Sequence, residues 1–449
     1  MTAVALSADE NAAVVRLEQK LMDAQSALKS AHAYYEGEQR LRQLGLAVPP
    51  SLQQFLTVVN WPRMAADGVE ERLDIEGFRF PGVDEADEDL WRIWQDNNLD
   101  EESQLAHLDA LIYGRSYICV GANEDDEATP LVTVESPFEL VHETDPRSRR
   151  ASAALRLYDE RDGRATRGTL YLPDATVWLF WSGSAGRWVD VDRDDHRMGV
   201  VPVVPVVNRA RTANRAGVSE LKDVIPLTDA AARSLTNLQL AQETHSVPQR
   251  FVLGAAAGDF VDQNGQPLTK WEAYFSSVWT LANEQAKVGQ LPSADLKNLT
   301  ETVEHYARLA SGVTALPPNY FGLAADDAAS ADAIRSREAR LVKRCERKQT
   351  AWSGSWEQAM RLVLYVATGD EDASARRLQT LWRDPATPTR AQQADAVVKL
   401  AQAGILPREG AWDDLKYSPA RQERLREQFR RQDELDPVGA VTRLVGQQA

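Results

Sequence analysis

The chain has 449 residues, 43% of them hydrophobic, and a net charge of -16. That length calls for two or three domains with a sizeable interior, which excludes both a single small core and a globally disordered chain. The negative balance argues against ordinary nucleic-acid binding over the whole surface, and no run of about eighteen apolar residues is present to span a membrane as a helix.

The opening "MTAVALSADENAAVV" lacks a basic stretch ahead of an apolar core and is not expected to be a secretory signal. Residues 7–36 predict an amphipathic helix with Leu17, Leu21, Ala24 and Leu28 on one face, ending near Gly37. "LTVVNWPR" reads as a short β-type run broken by Pro62. Residues 64–102 hold fourteen acidic side chains against three basic ones, around a helix carrying Leu90, Trp91 and Trp94; a solvated face accounts for the charge. From 111 to 208 the texture changes. "SYICVG", "PLVTVES", "FELVHET", "ALRLYDE", "GTLYLPD", "VWLFWSG" and "GVVPVVPVVN" predict short strands, the last an edge strand or extended exit because of Pro202 and Pro205. "VDVDRDDH" (189–196) reads as a solvated hairpin tip, since it lacks the glycine and distal glutamate of a calcium loop.

The second half is helical. Residues 219–245 place Leu227, Ala231, Leu235 and Leu238 at helical spacing, with Pro226 where a helix can start or kink. An irregular insert follows, rich in aromatics, with Asn264-Gly265 as a hairpin-like turn signal. A second helix is expected from about Ser293 as N-cap to Gly312, with Leu296, Leu299, Val303 and Tyr306 on one side. After a proline turn and a run of alanines and aspartates, Ile334, Leu341, Cys345, Trp352, Trp356, Met360 and Val363 mark one stripe of a very long helix. The remainder is helical again, punctuated by Gly404 and Pro407, with a charged tail beyond Tyr417.

Catalytic signatures are missing. The six histidines are scattered without metal-ligand spacing, and there is no P-loop, dinucleotide-binding glycine fingerprint, nucleophile elbow or zinc-protease helix. Cys119 and Cys345 stand far apart, offering neither a disulfide framework nor a paired-cysteine metal site. The expectation is therefore no enzyme, no metal and no cofactor. A cytosolic enzyme with scattered carboxylates and a monomeric helical scaffold are the alternatives.

"LRQLGLAVPPSLQQFLTVVNWPRMAADGVEERL", "GVSELKDVIPLTDAAARSLTNLQLAQETHSVPQR", "LPPNYFGLAADDAASADAIRSREARLVKRCERKQ" and "WRDPATPTRAQQADAVVKLAQAGILP" resemble, in order and over nearly the whole chain, the portal proteins of long-tailed bacteriophages, especially those infecting actinobacteria. The resemblance implies an α+β, mainly helical fold of wing, stem, clip and crown, assembling into a ring, usually of twelve copies, around a central channel. It divides the chain into N-terminal helices and α/β wing (1–218), first stem helix (219–246), clip (247–292), second stem helix (293–312), turn and tunnel loop (313–330), long wing helix (331–370) and C-terminal helical crown and tail (371–449).

The implied role is a structural one at the unique capsid vertex: a channel for DNA packaging and ejection, docked first by the terminase motor and then by the head-tail adaptor. Implied partners are further copies of the chain, double-stranded DNA passing without sequence specificity, the terminase large subunit, the adaptor, the major capsid protein and scaffold. The implied location is the portal vertex of the virion, after assembly in the host bacterial cytoplasm. Gly322, Asp326, Asp327 and Ser330 are the channel-facing candidates, where small and acidic side chains repel phosphate; helix N-terminal capping explains the same residues equally well. Phe251, Asp259, Phe260, Asn264, Gly265 and Trp271 are the clip candidates facing terminase or adaptor. Arg335, Arg337, Glu338, Arg340, Lys343 and Arg344 are expected to pair between subunits rather than touch DNA.

Overall fold

The structure is a computed structural model that describes all residues except 1–5, 40–56, 127, 246–249, 255–259, 262–279, 282–286, 291–295, 324–330, 371, 387–389, 416, 418 and 436–449. It divides into two compact units, Met1–Pro385 and Ala386–Ala449.

In the first unit, helix α1 (Ala8–Glu36) starts where Ser7 and Glu10 cap each other's backbone N–H, and stops at Gly37, left-handed at φ 75°. Its Val14, Leu17 and Leu21 are buried against Leu155, Leu170, Val177, Leu179 and Trp188 of a five-stranded meander. That sheet runs β4 (Leu140–Thr144), β5 (Ala151–Arg161), β6 (Arg164–Tyr171), β7 (Thr176–Ser182) and β8 (Arg187–Asp194), all antiparallel. The expected hairpin tip at 189–196 is instead mostly β8, the edge strand, whose inward positions are Trp188 and Asp190.

A smaller sheet has the order β3 (Leu131–Glu135), β2 (Arg115–Gly121), β9 (Val203–Val207). The prolines did mark an edge: among the described residues β9 pairs only with β2, and Pro205, which has no N–H, faces Tyr117. "NWPR" starts a helix rather than breaking a strand. Helix α2 (Trp61–Glu70) has Asn60 accepting from the Arg63 N–H and Pro62 in the first turn, where a missing N–H costs nothing. Strand β1 (Ile75–Arg79) leads into α3 (Glu88–Asp96) and α4 (Leu99–Tyr113), and pairs with the distant β14 (Gln379–Trp382). Residues 372–385, read as the start of the C-terminal helical part, thus belong to the first unit.

Helix α5 (Ile225–His245) carries Pro226 in its first turn. The insert nests one antiparallel pair, β11 (Phe260–Val261) with β12 (Thr280–Leu281), inside another, β10 (Arg250–Leu253) with β13 (Lys287–Gln290). Helix α6 (Lys297–Thr314) runs two residues past Gly312. Thr314 Oγ1 donates to the Ala310 carbonyl at 2.7 Å, and Ala315 makes the left-handed exit at φ 62°. The expected cap at Ser293 lies outside the described residues.

Helix α7 (Ala331–Thr368) bears the predicted stripe: Leu341, Cys345, Trp352, Trp356, Met360 and Val363 are buried in the main core with Phe78, Trp94 and Leu111. Fully burying a large apolar side chain stabilises by about 1.5–3 kcal/mol, so this stripe dominates the helix's anchoring. The helix also shields the open edge of β9. Trp352 Nε1 donates to the Val207 carbonyl at 3.0 Å and Ser355 Oγ to that of Pro205 at 2.9 Å. In the second unit, α8 (Arg390–Gln402), α9 (Arg408–Asp414) and α10 (Pro419–Leu435) follow, with Trp412 stacked on Phe429.

Two histidines of the first unit, His107 fully buried and His142 half-buried, oppose folding in acid. His107 sits between Trp352 and Trp356, its Nε2 accepting from Trp356 Nε1 at 2.9 Å, and burial lowers its pKa to about 3. Burial, with Lys20 and Arg115 nearby, brings His142 to about 3 as well. Both stay neutral when folded but protonate below about 6.5 when unfolded, so their stabilising effect is complete above that pH. It is lost as pH falls from 6.5 towards 3, at about 1.4 kcal/mol per unit for each. Glu70, raised to about 7, and Asp109, raised to about 6, both by burial first, oppose this trend by favouring the folded state as pH falls. The expected result in urea titrations is that His142→Gln loses less stability than wild type between pH 6.5 and 4.5; parallel curves would disprove the assignment.

Candidate functional site

The described parts of the predicted stem and long wing helix meet at one junction. There the chain leaves β9 at Asn208, crosses the end of α4 and enters α5. The crossing is close: Asn208 N–H donates to the Gly114 carbonyl at 2.9 Å, and Val218 N–H to the Asn208 carbonyl at 3.0 Å. Gly217 sits in the gap at φ 89°, where a Cβ would meet the Gly114 oxygen at 2.0 Å. Ser219 then caps a short 3-10 turn, Glu220–Asp223, by accepting from the Leu221 N–H.

That turn buries Glu220, 2% exposed. Its carboxylate meets Lys348 Nζ at 2.6 Å, accepts from Asn208 Nδ2 at 2.9 Å and pairs with the Arg344 guanidinium. Lys348 also donates to Asn208 Oδ1 at 2.6 Å. The network joins three remote segments, which gives it the geometry of a joint. Burial pulls the Lys348 ammonium well below its ordinary value, and burial together with Arg209 lowers Arg344 to about 10. A buried Lys348 and a half-buried Arg344 thus face one carboxylate.

Beside it opens a hollow of about 820 Å³ between the 3-10 turn, the end of α6 and one face of α7. Its cations are Arg209, Arg340, Lys343, Arg344, Arg347 and Lys348; its carboxylates are Glu220 and Asp223. Among the described residues no group of three or more His, Cys, Asp or Glu could hold a metal ion.

Four of the six predicted inter-subunit charges have partners inside the chain. Glu338 pairs with Arg72 at 3.2 Å, with both largely shielded from solvent; Arg340 donates to the Gly312 carbonyl at 2.9 Å; Lys343 pairs with Glu346 at 2.6 Å; Arg344 meets Glu220. Within one chain, Glu338 and Arg344 are thus already paired. Arg337 is exposed on α7, and Arg335 lies on the same helix.

Gly322 ends a 3-10 turn, Pro318–Phe321, in the left-handed region at φ 73° and is exposed, while Asp326, Asp327 and Ser330 lie outside the described residues. Phe251 and Phe260 fall on β10 and β11; Asp259, Asn264, Gly265 and Trp271 lie outside the described residues. Sequence reasoning missed Asn208, Gly217 and Glu220. Of the network's members only Arg344 was singled out, as an inter-subunit charge, because the network spans 128 residues between Glu220 and Lys348.

A family model described as "Phage portal protein, SPP1 Gp6-like" matches residues 22–434. The portal protein of Mycobacterium phage D29 is 40% identical over 425 residues, 92% of this chain and 86% of that one. The portal protein of Mycobacterium phage L5 is 39% identical over 438 residues, 95% of this chain and 89% of that one. Among solved structures, a chain from the virion of a native gene transfer agent particle aligns at 14% identity, covering 87% of this chain and 99% of that chain, with a TM-score of 0.46. One from the neck of the native particle, computed with C12 symmetry, aligns at 13%, covering 84% and 95%, with a TM-score of 0.45.

Proposed function

This chain belongs to the SPP1 Gp6-like phage portal proteins, and from that premise we propose that its copies close into a ring, of twelve subunits, at one vertex of the capsid. The observation carrying the proposal is the extent of the likeness: a family match over 22–434 and two portal relatives at about 40% identity along nearly the whole chain. The order of elements supports it. Helix α5, a strand-bearing insert, α6, a proline turn and the long α7 follow each other as stem, clip, stem and wing helix would.

In this reading the ring is a conduit. Double-stranded DNA is driven through it by the terminase large subunit and later leaves through it into the tail. The clip insert, with Phe251, Asp259, Phe260, Asn264, Gly265 and Trp271, offers its outer rim to terminase and then to the head-tail adaptor. The major capsid protein and scaffold surround the ring, which assembles in the host bacterial cytoplasm. A passage must not hold its polymer, because each phosphate met by a fixed Lys or Arg adds salt-dependent affinity. Residues 322–329 supply the opposite: Gly322, alanines, Asp326 and Asp327.

The test replaces the aspartates. Asp326→Lys/Asp327→Lys exchanges two negative charges for two positive ones in every subunit. Rings should still assemble, while DNA stalls, most at low salt, so that particles hold shorter genomes than wild type. Full-length packaging at the normal rate in low salt would place this segment away from the DNA.

A further inference from the structure

A closed ring needs two different patches on each subunit that fit one another. We propose that the cation-lined hollow beside α7 receives the acidic loop at residues 81–89 of a neighbouring copy, an inference that rests on the ring reading above. The hollow presents six cationic side chains against two carboxylates. Some of that charge is used internally by Glu220, Asp223 and Glu346. Arg347 is not: it is exposed, lines the hollow, and has no hydrogen bond or ion pair among the described residues. Val313, 46% exposed, adds an apolar spot to the same rim.

The segment 81–89, "PGVDEADED", a loop that runs into the first turn of α3, has complementary chemistry. Asp84, Glu85, Glu88 and Asp89 are exposed and form no ion pair among the described residues. Val83 is 51% exposed beside them. Another acidic stretch, 123–126, carries no exposed large apolar residue, whereas 81–89 has Val83 beside its carboxylates. The loop does not line the hollow of its own chain.

The test is a charge swap read by native mass spectrometry over a dilution series. Lys343→Glu/Arg347→Glu and Asp84→Lys/Glu85→Lys change only exposed side chains, and circular dichroism checks that both stay folded. Each should raise the concentration for half-assembly by about tenfold or more, most at low salt, because like charges then face each other. Combining the two should restore assembly. Wild-type rings with both swaps assembling normally would overturn this inference and leave the ring reading standing. Disruption without rescue in the combined variant would exclude this loop as the occupant. Normal assembly with altered DNA retention would assign the hollow to DNA instead. Wild-type chains that never form rings would overturn both the inference and the reading beneath it.

Discussion

Glu220→Ala should be among the most damaging single substitutions in the first unit, lowering stability by about 3–5 kcal/mol. The carboxylate is 1% exposed and serves Lys348, Arg344 and Asn208 together. Removing it leaves a buried Lys348 and a half-buried Arg344 side by side without their carboxylate. The loss is larger than the net worth of the pair, because the stranded charges cost more than the bond gave. A second substitution tests the mechanism: adding Lys348→Met to the Glu220→Ala variant should recover part of the stability by removing one stranded cation. Urea unfolding measures both. A Glu220→Ala midpoint within about 0.5 kcal/mol of wild type, the usual range for surface changes, would rule out the joint.

Gly217→Ala should cost about 3 kcal/mol or more, combining a left-handed backbone with a clash. The added methyl would lie 2.0 Å from the Gly114 carbonyl oxygen and 3.0 Å from Val207 Cγ1, so the crossing between the β9 exit and α4 must open. That oxygen also accepts from Asn208 N–H, and Asn208 in turn holds Lys348, so the strain reaches the charged network directly. Gly163→Ala is the control. It has a similar φ of 78° but nothing within 4 Å, and should cost only the backbone part, about 1–2 kcal/mol. Equal losses at the two positions would show that the close approach carries no weight.

The difference between local and remote interactions explains what the sequence revealed. Ser7, Glu10 and Gly37 sit within a turn of the helix ends they specify, so α1 could be bounded from its own residues. The α7 stripe was legible for the same reason, since its period is a property of one segment. Pro202 and Pro205 signalled an edge because a residue without an N–H cannot serve two neighbours. The failures have equally specific causes. "VDVDRDDH" alternates like a strand, but its acidic side chains looked like a solvated tip; pairing with β7 and burial of Trp188 decide it. At "NWPR" the valine-rich run ahead of it suggested β structure, while the Asn60 cap and Pro62 start a helix. Gly312 looked like a helix end, yet Thr314 and Ala315 provide one two residues later. The joint at Glu220 could not be read at all. Its partners come from β9 and from the middle of α7, and each alone is an ordinary polar residue.

A portal subunit of this kind should work only as a ring. Native mass measurement of the purified full-length protein, across a dilution series, tests that most directly. The expected spectrum is a closed assembly of about twelve copies, with electron micrographs showing a central hole. A monomer or dimer at every concentration and salt condition would contradict it.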